Sequence, residues 1–220
     1  MKLTEIKRAI KQLPQTAFGI SVPQLRKLAR QIAKEDYKGF VENNPNNTFE
    51  LQLLHAFVIG YAKDDIDTLL RYFKAFVPQA DSWGLTDSLC QNFKIARKYP
   101  QKVWDFIMRY KHSRKEFESR IVSVMLLSHF LTDKYIDQVI EVLNELHTDE
   151  YYSQMGVAWA LATIIAKYPQ KGLDYLEAAQ CKLDRVTYRK TLQKIRESFR
   201  VSDAIKHQVG RIGKKHLALE

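Results

Sequence analysis

Lys98-Tyr99-Pro100-Gln101-Lys102 recurs as Lys167-Tyr168-Pro169-Gln170-Lys171, and the likeness continues downstream. Asp105-Phe106-Ile107 matches Asp174-Tyr175-Leu176 at the same offset of 69 residues. Half that offset, roughly 35 residues, is the length of one helix pair in an α-solenoid. The intervening stretches 134–147 and 150–167 read as one such pair. A helical hairpin of this size cannot bury its apolar face alone. Successive pairs must stack into a continuous core and a curved array, whose concave side is the natural binding surface. Five identities in a Lys- and Tyr-rich chain are open to coincidence; the matching flanks weigh against it.

The pattern is helical almost throughout. Helices are predicted near 2–13, 21–35, 48–62, 65–76, 82–98, 101–111, 114–131, 134–147, 150–167, 170–179, 184–200 and 202–216. Ser21 ahead of Val22-Pro23 and Thr48 ahead of Phe49-Glu50 read as N-caps, and Pro100 and Pro169 as helix starts. Asn43 to Asn47 is the clear polar loop. Glycine (8) and proline (6) are scarce and no Asn-Gly or Asp-Gly pair occurs, which argues against a turn-rich β protein. The expected fold is all-α, an α-solenoid of antiparallel helix pairs with a concave basic surface. No low-complexity linker divides the chain, so 1–220 reads as a single domain.

With 45% hydrophobic residues among 220, the chain can bury a sizeable core and is not disordered wholesale. Its two cysteines, Cys90 and Cys181, form no C-x-x-C pair, which fits a reducing compartment and argues against a thiolate metal site. No apolar run reaches a membrane span and no signal-peptide core opens the chain, so a cytoplasmic protein is the expectation. The net charge of +10 is segregated. Residues 94–115 hold eight Lys/Arg (Lys94, Lys98, Arg114 and Lys115 among them) against Asp105, and residues 181–220 hold eleven against four acids. A phosphate-binding surface needs such segregation, although a solvated basic face produces it too.

Three helices carry residues that packing alone does not call for. Over 82–98, Leu85, Leu89, Phe93 and Ala96 share one face, while Trp83, Asp87, Cys90 and Lys94 share another. Trp is commonly core or edge packing. A carboxylate one turn later changes the balance, because a buried one needs a partner or a task. Asp87 also fits as an acid near a helix N-terminus. Over 114–131, Arg120 falls inside the apolar arc of Phe117, Ile121, Val124, Leu127, Ser128 and Leu131, and so needs an anion. That anion is a phosphate or a protein carboxylate such as Asp87 or Glu116. Over 150–167, Val157, Leu161, Ile164 and Ile165 oppose Tyr152, Met155, Trp159 and Ala162. Taken alone, this helix reads as central and buried on both sides; the alternative is an aromatic strip offered to a ligand. On 184–200, Tyr188, Leu192, Ile195 and Phe199 should pack while Arg185, Arg189, Lys190, Lys194, Arg196 and Arg200 face out, toward phosphates or solvent alone.

The chain has no GxGxxG, P-loop, H-E-x-x-H or Ser-His-Asp elbow, and its six histidines show no ligand spacing. No cofactor and no metal are therefore expected.

These residues resemble the AlkD-like family of bacterial DNA alkylation repair proteins, helical-repeat glycosylases of HEAT-like architecture. The likeness runs from about Val22-Pro23-Gln24-Leu25-Arg26 to the Phe199 region. It includes Phe49-Glu50 through Gly60-Tyr61-Ala62-Lys63, the Trp-x-x-x-Asp segment, Phe117-Glu118-Ser119-Arg120 and Met155-Gly156-Val157-Ala158-Trp159-Ala160. Gly84 after the tryptophan departs from the best-known members. The resemblance implies metal-free excision of cationic N3- or N7-alkylpurines from duplex DNA by a monofunctional enzyme, expected to act as a monomer. It places Asp87 as the catalytic carboxylate, Trp83 and Trp159 as aromatic residues of the active cleft, and Arg120 as a backbone-contacting arginine. Lys94, Arg114, Lys115, Arg189, Lys190 and Lys194 are the further DNA-binding candidates. Some relatives bind DNA without glycosylase activity, so a non-catalytic DNA-binding or damage-sensing protein is the alternative, and a protein scaffold a third.

Overall fold

A computed structural model describes residues 3–16 and 19–218. Among these described residues, thirteen α-helices follow one another: α1 (Leu3–Gln12), α2 (Val22–Glu35), α3 (Tyr37–Asn43), α4 (Phe49–Tyr61), α5 (Ile66–Phe76), α6 (Trp83–Asn92), α7 (Pro100–Ile107), α8 (Glu116–His129), α9 (Ile136–Glu145), α10 (Tyr151–Lys167), α11 (Pro169–Glu177), α12 (Arg185–Glu197) and α13 (Asp203–Ala218). Short 3-10 turns follow α5, α6 and α7. A two-residue antiparallel pairing (Gln15 with Ile20, Thr16 with Gly19) lies between α1 and α2. Among the described residues, no helix is long and apolar enough to cross a membrane.

Local chemistry sets most boundaries. Thr48, Asp65, Ser82 and Asp184 each turn a side-chain oxygen onto a free amide of the helix that follows. Ser21 makes no such bond; α2 starts instead on Pro23 in its first turn. Asp36 accepts from Gly39 N at 2.9 Å and starts α3, a seven-residue helix absent from the sequence-based prediction. The predicted helix over 82–98 is cut short. At Phe93 ψ is 56°, its amide bonds back to Cys90 O, and Lys94–Arg97 continues as a 3-10 turn. Lys94 therefore leaves the stripe that Trp83 and Asp87 share.

The chain forms two compact units, Met1–Phe106 and Ile107–Glu220. In the first, α4 packs between α2 and α6, with α3 and α5 on its flanks. Phe73 anchors this core, its ring 5.0 Å from Phe93 and 5.3 Å from Phe106. In the second, α10 packs between α8 and α12, and α11 against α13. Next-but-one packing of this kind is the order of a helical-repeat stack.

The sequence repeat proves to be a repeat of contacts. Lys102 Nζ meets Asp67, in the first turn of α5, at 2.7 Å. Lys171 Nζ meets Asp137, in the first turn of α9. Gln101 bonds Asp105 at 2.8 Å and Gln170 bonds Asp174 at 2.7 Å. Lys98 lies over the Tyr99 ring at 5.2 Å, as Lys167 does over Tyr168 at 5.4 Å. Lys102 and Lys171 each reach one helix pair back, across 35 and 34 residues. The first turn of α7 thus meets the first turn of α5, and that of α11 the first turn of α9. These exposed pairs register the stack and add little stability each.

Two glycines allow the central helices to approach closely. A Cβ on Gly60 would fall 2.6 Å from Asn92 Cβ and 3.0 Å from its carbonyl carbon, joining α4 to α6. A Cβ on Gly156 would fall 2.3 Å from Ser123 Oγ, joining α10 to α8.

The polar loop is tied down by a buried histidine. His55 Nδ1 lies 3.0 Å from Asn46 Oδ1, and Asn46 Nδ2 donates to Gln79 at 2.6 Å. Asn46 holds a left-handed φ of 48°, which asparagine tolerates. Burial between Phe40 and Phe76 pushes His55 down to about 4 from its ordinary 6.5. Below pH 6.5 the unfolded chain binds a proton that the folded chain refuses until about pH 4. Stability should therefore fall across that window, by about 3 kcal/mol in all. Urea titrations from pH 7.5 to 4 test this: His55→Gln should flatten that part of the profile, and an unchanged slope would refute the assignment.

Candidate active site

Trp83 and Asp87 stand one turn apart on α6 and meet different environments. Ser82 caps the helix, with Leu85 N donating to its Oγ at 3.5 Å, and Thr86 Oγ1 donates back to Ser82 O at 2.9 Å. Trp83, the first helical residue, remains 56% exposed. Asp87 is 8% exposed. Cys90, next along the stripe, is fully buried, so the stripe runs from solvent into the core. Phe49 also stays exposed, at the first position of α4. A Cβ on Gly84 would lie 3.3 Å from the tip of its ring. Gly84 thus leaves room for this exposed ring, on which a larger residue would press.

Arg120 is buried on α8 at 6% exposure. Its Nη1 donates to Tyr152 O at 3.0 Å, and its guanidinium lies 5.9 Å from the Tyr152 ring. Glu116 Oε1, one turn earlier on α8, accepts from Tyr152 N at 2.5 Å. Two side chains of α8 thus grip the first turn of α10 through both peptide polar groups of Tyr152. Phe117 stacks on Tyr152 at 5.5 Å, and Tyr151 meets Tyr152 edge-on at 5.1 Å.

Along α10, Tyr152, Met155 and Trp159 are half-buried while Val157, Leu161, Ile164 and Ile165 are buried. The expectation of a central helix holds, since α8 and α12 both pack on α10 and Ala162 is buried, but the Tyr152, Met155 and Trp159 side is covered only in part. Trp159 lies on a partly open strip, because α8 and α12 cover the other faces of α10. Trp83 and Asp87 belong to the first unit, Arg120 and Trp159 to the second.

The basic candidates differ in their surroundings. Lys94, Arg114 and Arg189 are exposed. Lys115, just ahead of α8, pairs with Glu118 at 3.1 Å, and Lys194 pairs with Glu197 at 2.9 Å. Lys190 holds its ammonium 4.4 Å from the centre of the Tyr151 ring. Tyr188 and Ile195 pack as predicted, but Phe199 does not. Ser198 turns extended (ψ 124°) and ends α12, leaving Phe199 fully exposed while Thr187 and Thr191 fill the buried face.

Exposed aromatic residues at helix starts, Phe49 and Tyr151, escaped the sequence reading. The available signal was their place directly after a capping position, ahead of the apolar periodicity. Among the described residues, no group of three or more His, Cys, Asp or Glu could hold a metal ion.

Searches of curated proteins and of solved structures return no match to this chain. The profile of a family described as DNA alkylation repair enzyme matches residues 2–195, taking in α6, α8 and α10 whole. With its stacked helix pairs and a match over most of its length, the chain belongs to the DNA alkylation repair enzyme family.

Proposed function

We propose that this protein is a monofunctional DNA glycosylase that hydrolyses the N-glycosidic bond of cationic N3- and N7-alkylpurines in duplex DNA. Family membership supports an enzyme role in alkylation repair with DNA as partner. One observation carries the finer reading: a buried carboxylate, Asp87, one helical turn from a tryptophan that stays exposed.

Alkylation at N3 or N7 leaves the purine positively charged and already a good leaving group. The bond from C1′ to the base nitrogen breaks with both electrons passing to the base, which departs neutral. Positive charge moves to the sugar, and the transition state has oxocarbenium character. Catalysis then consists mainly of stabilising that charge and placing water. An ionised Asp87 does the first. It also accepts or orients the proton that water loses on adding to C1′. The exposed face of Trp83 attracts the cationic nucleotide, and the half-buried Trp159 of the second unit has the same chemistry to offer. The Arg120 guanidinium, planar and permanently charged, has the fork geometry that suits a phosphate of the backbone. The exposed cations Lys94, Arg114 and Arg189 add phosphate contacts; the paired Lys115 and Lys194 must release a carboxylate first. No lysine has an imine-forming role, and neither cofactor nor second subunit is required.

The test is release of N7-methylguanine from a duplex carrying it. Wild-type protein should free the base well above the spontaneous rate. Binding without release would instead assign a non-catalytic DNA-binding role.

A further inference from the structure

The groove between α12 and α13 sets Arg189, given a phosphate contact above, beside Lys190, Arg196 and Lys214, which that chemistry does not use. Arg189, Lys190, Gln193 and Arg196 of α12 and Gly210 and Lys214 of α13 line it, together with apolar side chains of both helices such as Leu192 and Val209. Among the described residues, four cations line it and no carboxylate does. Two other lysines of these helices sit beside acids, Lys194 at Glu197 and Lys215 at Glu177. Arg189, Gln193 and Arg196 recur at i, i+4, i+7, so one face of α12 carries them. The glycines shape the opposite wall. A Cβ on Gly213 would meet Leu192 Cδ1 at 2.5 Å, which brings the helices close, whereas one on Gly210 would meet nothing within 4 Å. The groove is thus open along its α13 side. The match to the repair family ends at residue 195, so α13 and Arg196 lie beyond it.

We infer that the α12–α13 groove is an accessory site for the phosphate backbone of duplex DNA, one that ignores the lesion. Arg196 and Lys214 complete it from outside the family-matched region. Cations lining a groove without carboxylates suit closely spaced phosphates, whose neutralisation releases counterions. Arginine forks at 189 and 196 suit phosphate oxygens. The inference rests on DNA being the partner and is independent of glycosylase activity.

Gly210→Glu supplies a clean test, because it places a carboxylate in the groove without a clash and replaces a helix-interior glycine. Its melting temperature should hold or rise. Its affinity for an undamaged duplex at moderate salt should fall about tenfold. The double variant Arg196→Ala/Lys214→Ala should lower the magnitude of the log–log salt slope by about 2, roughly 0.9 for each phosphate no longer neutralised. Lys215→Ala, equally basic but paired with Glu177, should leave both readings unchanged. Unaltered affinity and slope in the groove variants would overturn the inference. So would loss of binding to phosphatidylserine vesicles with duplex binding intact. Because the readout is undamaged DNA, absence of base release in the glycosylase assay would leave these outcomes decisive.

Discussion

Asp87→Asn should lower the single-turnover rate of alkylpurine release by about 100-fold or more while leaving DNA affinity near wild type. The substitution keeps shape and polarity and removes the negative charge. The loss follows from where that charge sits. Asp87 is almost wholly buried, and a carboxylate sheltered from water interacts more strongly with a developing sugar cation than an exposed one would. The cationic base departs without needing an acid, so no second group compensates. Asp81, exposed just ahead of the Ser82 cap, provides the control: Asp81→Asn alters the helix-end charge and should change the rate by less than about threefold. Melting curves and duplex titrations on both variants separate lost chemistry from lost fold. Full activity in Asp87→Asn, with wild type active, would remove Asp87 from its catalytic role.

Gly60→Ala should cost the protein about 2–3 kcal/mol, lowering its melting temperature by roughly 5–10 °C. On helix propensity alone alanine would stabilise by about 1 kcal/mol, so even the direction of the effect is diagnostic. The added Cβ would stand 2.6 Å from Asn92 Cβ, 3.0 Å from its carbonyl carbon and 3.2 Å from its oxygen. These are backbone and near-backbone atoms, so no rotamer change relieves them, and Asn92→Ala should not rescue the variant. Gly156→Ala meets a different obstacle. Its Cβ would press on the Ser123 hydroxyl at 2.3 Å but lie an ordinary 3.5 Å from Ser123 Cβ. Adding Ser123→Ala should therefore restore most of the stability that Gly156→Ala loses. Thermal melts of the four variants suffice. A stabilised Gly60→Ala would show that α4 and α6 are not held in direct contact at this point.

The repeat at 98–102 and 167–171 was legible because it combines local signals with a fixed spacing. Proline sets the helix start, the lysine two residues on must find an acid, and the half-offset places one a helix pair back, at Asp67 and Asp137. The burial of Arg120 was legible as well, as a break in an apolar arc. One of its hydrogen bonds was not. The guanidinium donates to a backbone carbonyl 32 residues away, and carbonyls carry no sequence signature. Lys94 shared a stripe with Asp87 only on an unbroken helix. The 3-10 turn after Phe93 removes it, and nothing in Gln91-Asn92-Phe93 announces the break as a proline or glycine would. Phe199 was placed on a packed face by continuing a period past Ser198, where the backbone had already turned.

The sequence by itself determined all the helices but α3, the cap at Thr48, the repeat that orders the helices and the segregation of charge. Each depends on residues within a few turns of one another or on a spacing that can be counted. Only the tertiary structure decided that Trp83 faces solvent while Asp87 is buried, that Trp159 lies on a half-open strip, and that Lys194 is paired while Arg196 lines a groove. A helix presents several faces that its own sequence leaves equivalent. Which face is covered depends on neighbouring helices a pair or more away in the chain, and close approach at Gly60 and Gly156 holds those neighbours in place.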